Sequence, residues 1–94
     1  MYDVFITYSD KQDRDYFENI NIQNPVYLHF YNMNSAKDIK EGRRIKNYGA
    51  ARKDPFILVK EEDKVIQCFY SEDGNAVNKL ILWLNANKSK EAES

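Results

Sequence analysis

Residues 48–70, Y-G-A-A-R-K-D-P-F-I-L-V-K-E-E-D-K-V-I-Q-C-F-Y, decide how this chain folds. Residues 56–59 are an apolar run too short for a helix and rich in strand formers, and residues 65–70 are a second such run. The polar residues 60–63 join them, which predicts an antiparallel hairpin. The first strand is apolar on both faces, so it belongs deep in a sheet, with the second nearer an edge. Pro55 opens the first strand. Having no N–H, it gives no ladder bond, so it marks a strand start or a specialised turn.

Working outward, residues 2–8 alternate Tyr2, Val4, Ile6 and Tyr8 against Asp3, Phe5 and Thr7, the pattern of a strand. Ser9, Asp10 and Asp13 offer N-caps, and Tyr16, Phe17 and Ile20 recur at helical spacing, so a short helix is expected over about 13–20. Residues 21–25 break it. Residues 26–33 form a second strand, with Val26, Leu28 and Phe30 opposed to Tyr27, His29 and Tyr31. Strand, helix and strand in so short a space predict a right-handed parallel unit.

A polar loop over 32–37 leads to a helix over 38–48 with Ile39, Ile45 and Tyr48 turned inward, ended by Gly49 in a left-handed conformation. Gly42 within it costs about 1 kcal/mol relative to alanine. That points either to a close approach of backbones or to a helix start near Glu41. After the hairpin, a turn over 71–75 with Gly74 precedes a last helix from 76 to about 87. This helix is apolar through Val77, Leu80, Ile81, Trp83 and Leu84 and must be covered by the sheet. One domain over 1–87 and a flexible tail over 88–94 are expected.

The 94 residues, 43% hydrophobic and 14% aromatic, suffice for one modest core. A formal net charge of −1 gives no global attraction to phosphate backbones or anionic membranes. One cysteine, Cys68, and one histidine, His29, allow neither an internal disulfide nor a Cys/His zinc site, and suit a reducing, cytoplasmic compartment. No apolar run approaches the ~20 residues of a membrane span. Met1 is followed at once by a strand pattern, so no signal peptide and no membrane partner are expected. Ten Asn, ten Lys and seven Tyr lean toward an AT-rich genome, bacterial or phage.

The order β-α-β-α-β-β-α, with Y-G ahead of the hairpin-opening proline, resembles the thioredoxin superfamily, most closely a member of glutaredoxin size. The resemblance covers nearly the whole chain. It implies an α/β fold with a four-stranded mixed sheet, helices on both faces and a cis Asp54–Pro55 bond. In that family a C-x-x-C motif opens the first helix, where the helix end lowers the thiol pKa. The matching positions here are roughly Lys11, Gln12, Asp13 and Arg14; aligned as a longer thioredoxin, they are residues 35–38. Neither holds a cysteine. Thiol–disulfide exchange needs an attacking sulfur, so the expectation is a redox-inactive, cofactor-free protein that serves as a protein-binding or structural module.

By the same resemblance, a partner would engage the loops at the redox end of the sheet. These carry Tyr8, Lys11 and Arg14 after the first strand, Lys53, Asp54 and Pro55 before the hairpin, and Asp73 in the turn before the last helix. Both charge signs with Tyr8 as an aromatic anchor suggest a polar protein contact. In glutathione-binding relatives the backbone beside the cis-proline pairs with the peptide and a carboxylate near the last helix takes its amino group. Those positions are Asp54, Pro55, and Glu72, Asp73 or Gly74, and Asp54 departs from the usual small or β-branched residue. Glutathione binding or monothiol chemistry at Cys68 is thus the alternative, although a hairpin-strand cysteine is ordinarily buried and inert. His29, among aromatics and without an identifiable nucleophile, reads as structural. Arg43, Arg44, Lys46, Arg52 and Lys53 form a basic cluster suited to phosphates or an acidic protein surface. With no aromatic platform interleaved in sequence, it reads as a solvated helix face, and no nucleic-acid partner is expected. A second resemblance joins Y-D-V-F-I-T-Y-S-D-K-Q-D-R-D-Y and K-D-I-K-E-G to TIR domains, implying signalling or NAD cleavage. The chain is short for that five-stranded fold, and Pro55 with its tight hairpin interrupts β-α alternation.

Overall fold

The computed structural model describes residues 1–19, 26–73 and 75–87. The chain runs β1 (Tyr2–Tyr8), α1 (Lys11–Asn19), β2 (Val26–Asn32), α2 (Ala36–Asn47), β3 (Phe56–Glu61) and β4 (Lys64–Phe69). A short 3-10 turn (Ser71–Asp73) then leads to α3 (Ala76–Ala86). The expected helix end at Ile20, the break over 21–25, Gly74 and the tail over 88–94 lie outside the described residues.

The four strands form one sheet in the order β2-β1-β3-β4. β1 pairs in parallel with β2, Tyr2 opposite Val26, and antiparallel with β3, Thr7 opposite Phe56. The sheet is therefore mixed, with the apolar β3 central and β4 at an edge. Antiparallel β3 and β4 depart from the β-α alternation that a TIR domain would need.

Side-chain alternation divides the core into two layers. Tyr2, Val4 and Ile6 of β1 and Ile57 and Val59 of β3 pack with Phe17 of α1 and Ala76, Leu80 and Leu84 of α3. On the opposite face Phe56 and Leu58 pack with Ile45 of α2. Helices thus cover both faces. Among the described residues no helix is long and apolar enough to cross a membrane.

Several local expectations are corrected. The hairpin turns on Glu62 and Asp63 alone, both at positive φ (53° and 65°), a two-residue turn whose twist matches its strands. Lys60 and Glu61, expected in the loop, belong to β3. The register passes from Val59 opposite Gln67 to Lys60 opposite Val65, so Ile66 is an extra, bulged residue. Tyr48, expected to turn inward, is exposed, and so is Tyr16.

Helix α2 begins at Ala36, so Gly42 does not delay it. The space a side chain would need at Gly42 holds the Met33 thioether. At the other end, the N–H of Ala51 donates to the Lys46 carbonyl (2.9 Å) and that of Ala50 to the Asn47 carbonyl (3.2 Å), with Ala50 at φ 52°. This is a Schellman ending with alanine in the left-handed position. Gly49 is required for space instead: a Cβ there would lie 2.8 Å from the Phe56 ring and 2.7 Å from the Tyr70 hydroxyl.

Candidate functional site

At one end of the sheet the last residues of β1, the first turn of α1 and the loop into β3 come together. Asp10 starts α1 by accepting the Gln12 N–H on its side chain (2.9 Å) and the Asp13 N–H on its carbonyl (3.1 Å). The helix therefore begins at Lys11, two residues before the expected start. Met33 N–H donates to the Tyr8 carbonyl (2.8 Å) and the Asn34 side-chain amide to the Ser9 carbonyl (2.7 Å), tying the loop after β2 to the same end.

Opposite this turn the Asp54–Pro55 bond is cis, as the resemblance implied. Three buried or nearly buried polar groups hold the loop. Alternation along β1 turns Thr7 onto the α2 face, where it is fully buried. Its hydroxyl donates to Asp54 Oδ1 (2.7 Å) and accepts the Phe56 N–H (3.1 Å). The same carboxylate oxygen lies 3.0 Å from Lys46 Nζ, and each side chain of this pair is 12% exposed. Lys46 also donates to the Arg52 carbonyl (3.4 Å). A nearly dry ion pair thus joins the last turn of α2, the pre-proline loop and the end of β1.

The residues singled out in the sequence play unlike parts here. Tyr8 is 6% exposed, so it is not an anchor for a partner. Its ring meets Phe30 edge-on and its hydroxyl accepts from Arg14 (3.3 Å). Arg14 is likewise engaged, with Glu18 at 3.2 Å and its guanidinium 5.0 Å from the Phe30 ring centroid. Asp54 and Pro55 shape the loop, and Asp54 is occupied by Thr7 and Lys46. Lys11 and Lys53 are exposed and form no ion pair among the described residues. Asp73 closes the 3-10 turn, and its side chain lies outside the described part.

The concave part of this end was not foreseen. A groove of about 330 Å³ between α1 and the start of α3 is lined by Gln12, Asp13, Tyr16, Asn75, Val77 and Asn78. Tyr16 is 46% exposed and donates to Asn78 Oδ1 (3.1 Å), fixing its ring at the groove edge. Burial first, then the carboxylates of Asp10 and Asp54, raises the pKa of Asp13. The adjacency of Tyr16 and Phe17 held the one available signal, since neighbours on a helix lie about 100° apart and only one of them faces the core fully.

Sulfur is elsewhere. Cys68 sits on β4 opposite Leu58, half-buried against the Ile45, Phe56 and Leu58 cluster, and burial pushes its thiol pKa up. A raised pKa keeps the thiolate scarce at neutral pH. His29 stacks on Phe5 (centroids 4.6 Å apart), and its Nε2–H donates to Asp3 Oδ1 (3.0 Å). No group of three or more His, Cys, Asp or Glu among the described residues is arranged to hold a metal ion. Comparison with protein-family models, curated proteins and solved structures finds no match to this chain.

Proposed function

We propose that this chain is a thioredoxin-like protein without redox chemistry, which binds another protein through the end of the sheet where α1 begins. The observation that carries the reading is a juxtaposition. Pro55 opens β3 beside the end of β1, with its loop joined to β1 through Thr7, while the facing first turn of α1 bears Asp10, Lys11, Gln12, Asp13 and Arg14 and no thiol. A polar, shallow groove with one exposed tyrosine suits a protein surface better than a small molecule. Small-molecule sites are deeper and mostly apolar.

The test is affinity capture from nuclease-treated extract of the source cell, with the whole chain as bait. Tyr16→Ala and the double charge reversal Lys11→Glu/Lys53→Glu are expected to lose the captured protein. Their circular dichroism melts should stay close to wild type, because all three positions are exposed. Retention by these variants, with loss in Arg43→Glu/Arg44→Glu, would place the contact on α2 and contradict the proposal.

A further inference from the structure

The outer side of α2 carries a second surface that the loop-end reading does not use. Residues 36–54 hold seven cations, Lys37, Lys40, Arg43, Arg44, Lys46, Arg52 and Lys53, against three carboxylates, Asp38, Glu41 and Asp54. The whole chain has net charge −1, so positive charge is concentrated here. Two of these carboxylates are already matched by cations, Asp54 by Lys46 (3.0 Å) and Glu41 by Arg44 (3.3 Å). Lys40 and Arg43 have no ion-pair partner among the described residues.

Rings interleave with these cations in space, although not in sequence. Arg44 lines three adjoining depressions: one along α2 with Lys40 and Arg43, one with Asn47 and Tyr48, and a cleft of about 230 Å³ that includes Tyr31, Tyr48 and Lys60. Tyr48 is 56% exposed. Lys60 Nζ lies between two rings, 5.0 Å from that of Tyr48 and 5.5 Å from that of Phe5, and has no carboxylate partner among the described residues. Phe5 in turn stacks on His29 and Tyr31. A trough thus leads from unpaired cations on a helix to an exposed ring and a cleft walled by aromatic and cationic groups together with the Glu41 carboxylate, which is paired with Arg44.

We infer that this trough binds single-stranded nucleic acid. Phosphates would lie along Lys40, Arg43 and Arg44, and an unstacked base would rest against Tyr48 at the mouth of the cleft. Cations supply sequence-independent attraction to the phosphates. The rings offer stacking that every base accepts when its face is free, which separates a single strand from a duplex or an acidic peptide.

The test is fluorescence anisotropy with the purified full chain and a labelled, mixed-sequence single strand of about 12 nucleotides. Saturable binding is expected, weakening about tenfold or more between about 50 and about 200 mM salt. Arg43→Glu should weaken it about tenfold or more, and Tyr48→Ala about fivefold or more. Glu41→Gln should strengthen it, because a carboxylate leaves the trough. The same sequence as a duplex should bind more weakly. No binding would overturn the inference, as would duplex binding of equal strength that Tyr48→Ala leaves unchanged, which is plain charge attraction. Competition by polyglutamate as effective as that of the unlabelled strand would also overturn it, since an acidic protein would then be the better match. All the altered side chains are exposed, and a circular dichroism melt for each variant confirms folding.

Discussion

Lys46→Met is expected to lower the unfolding free energy by about 3 kcal/mol, the lower end of what removing one partner of a buried ion pair costs. In a domain of this size that corresponds to a fall in melting temperature of about 12–20 °C. The methionine keeps most of the packing of the lysine stem. The loss therefore comes from Asp54, whose nearly buried carboxylate keeps, among the described residues, the Thr7 hydroxyl as its remaining partner. Adding Asp54→Asn should restore most of the stability. The amide oxygen still accepts from Thr7, and no buried charge is left unpaired. Urea or thermal unfolding of the single and double variants measures both effects. A single-variant loss below about 1 kcal/mol would mean that the pair behaves as an exposed one.

Two adjacent positions at the end of α2 should respond in opposite directions. Gly49→Ala is expected to cost about 2–3 kcal/mol, toward the upper end for forcing extra volume into a packed core. The added Cβ would meet Phe56, which is fully buried on the central strand, and the Tyr70 hydroxyl. Phe56 is packed on the central strand, and the backbone of Gly49 is held within the Schellman ending, so neither withdraws freely. Ala50→Gly, by contrast, relieves a non-glycine residue at φ 52° and should stabilise by about 0.5–1 kcal/mol. Were Gly49 present for its backbone freedom, the expectation at Ala50 would have no basis. Equilibrium unfolding of the two single variants separates these roles.

What was legible in the sequence was period and punctuation. The alternation of residues 2–8 gave β1 at its observed bounds, and the unbroken apolar run at 56–59 marked the strand that lies centrally with both faces covered. Pro55 marked the strand start, because a residue without an N–H has few other places in a sheet. Features that depend on two segments meeting were not legible. The turn at Glu62 and Asp63 lacks the Asn-Gly or Asp-Gly signature of its type, and the bulge at Ile66 exists only in the register between β3 and β4. The Thr7–Asp54–Lys46 cluster joins residues up to 47 positions apart, each ordinary in its own local sequence. Tyr8, expected as an exposed anchor, is buried, and Tyr16 is the exposed tyrosine at this end. Strand alternation placed Tyr8 on the covered face, and α1 starting at Lys11 turned Phe17 rather than Tyr16 into the core. The aromatic neighbours of Arg44 come from β1, β2 and the end of α2, so a reading of linear interleaving missed them.

The proposed absence of redox chemistry is tested most directly by thiol–disulfide exchange. With dithiothreitol as reductant, the wild-type chain and Cys68→Ser should both reduce the disulfides of insulin no faster than dithiothreitol alone. The first turn of α1 offers no sulfur, and Cys68 sits half-buried on β4 with its thiol pKa raised. Acceleration by the wild-type chain that disappears in Cys68→Ser would contradict this and make the protein a monothiol enzyme.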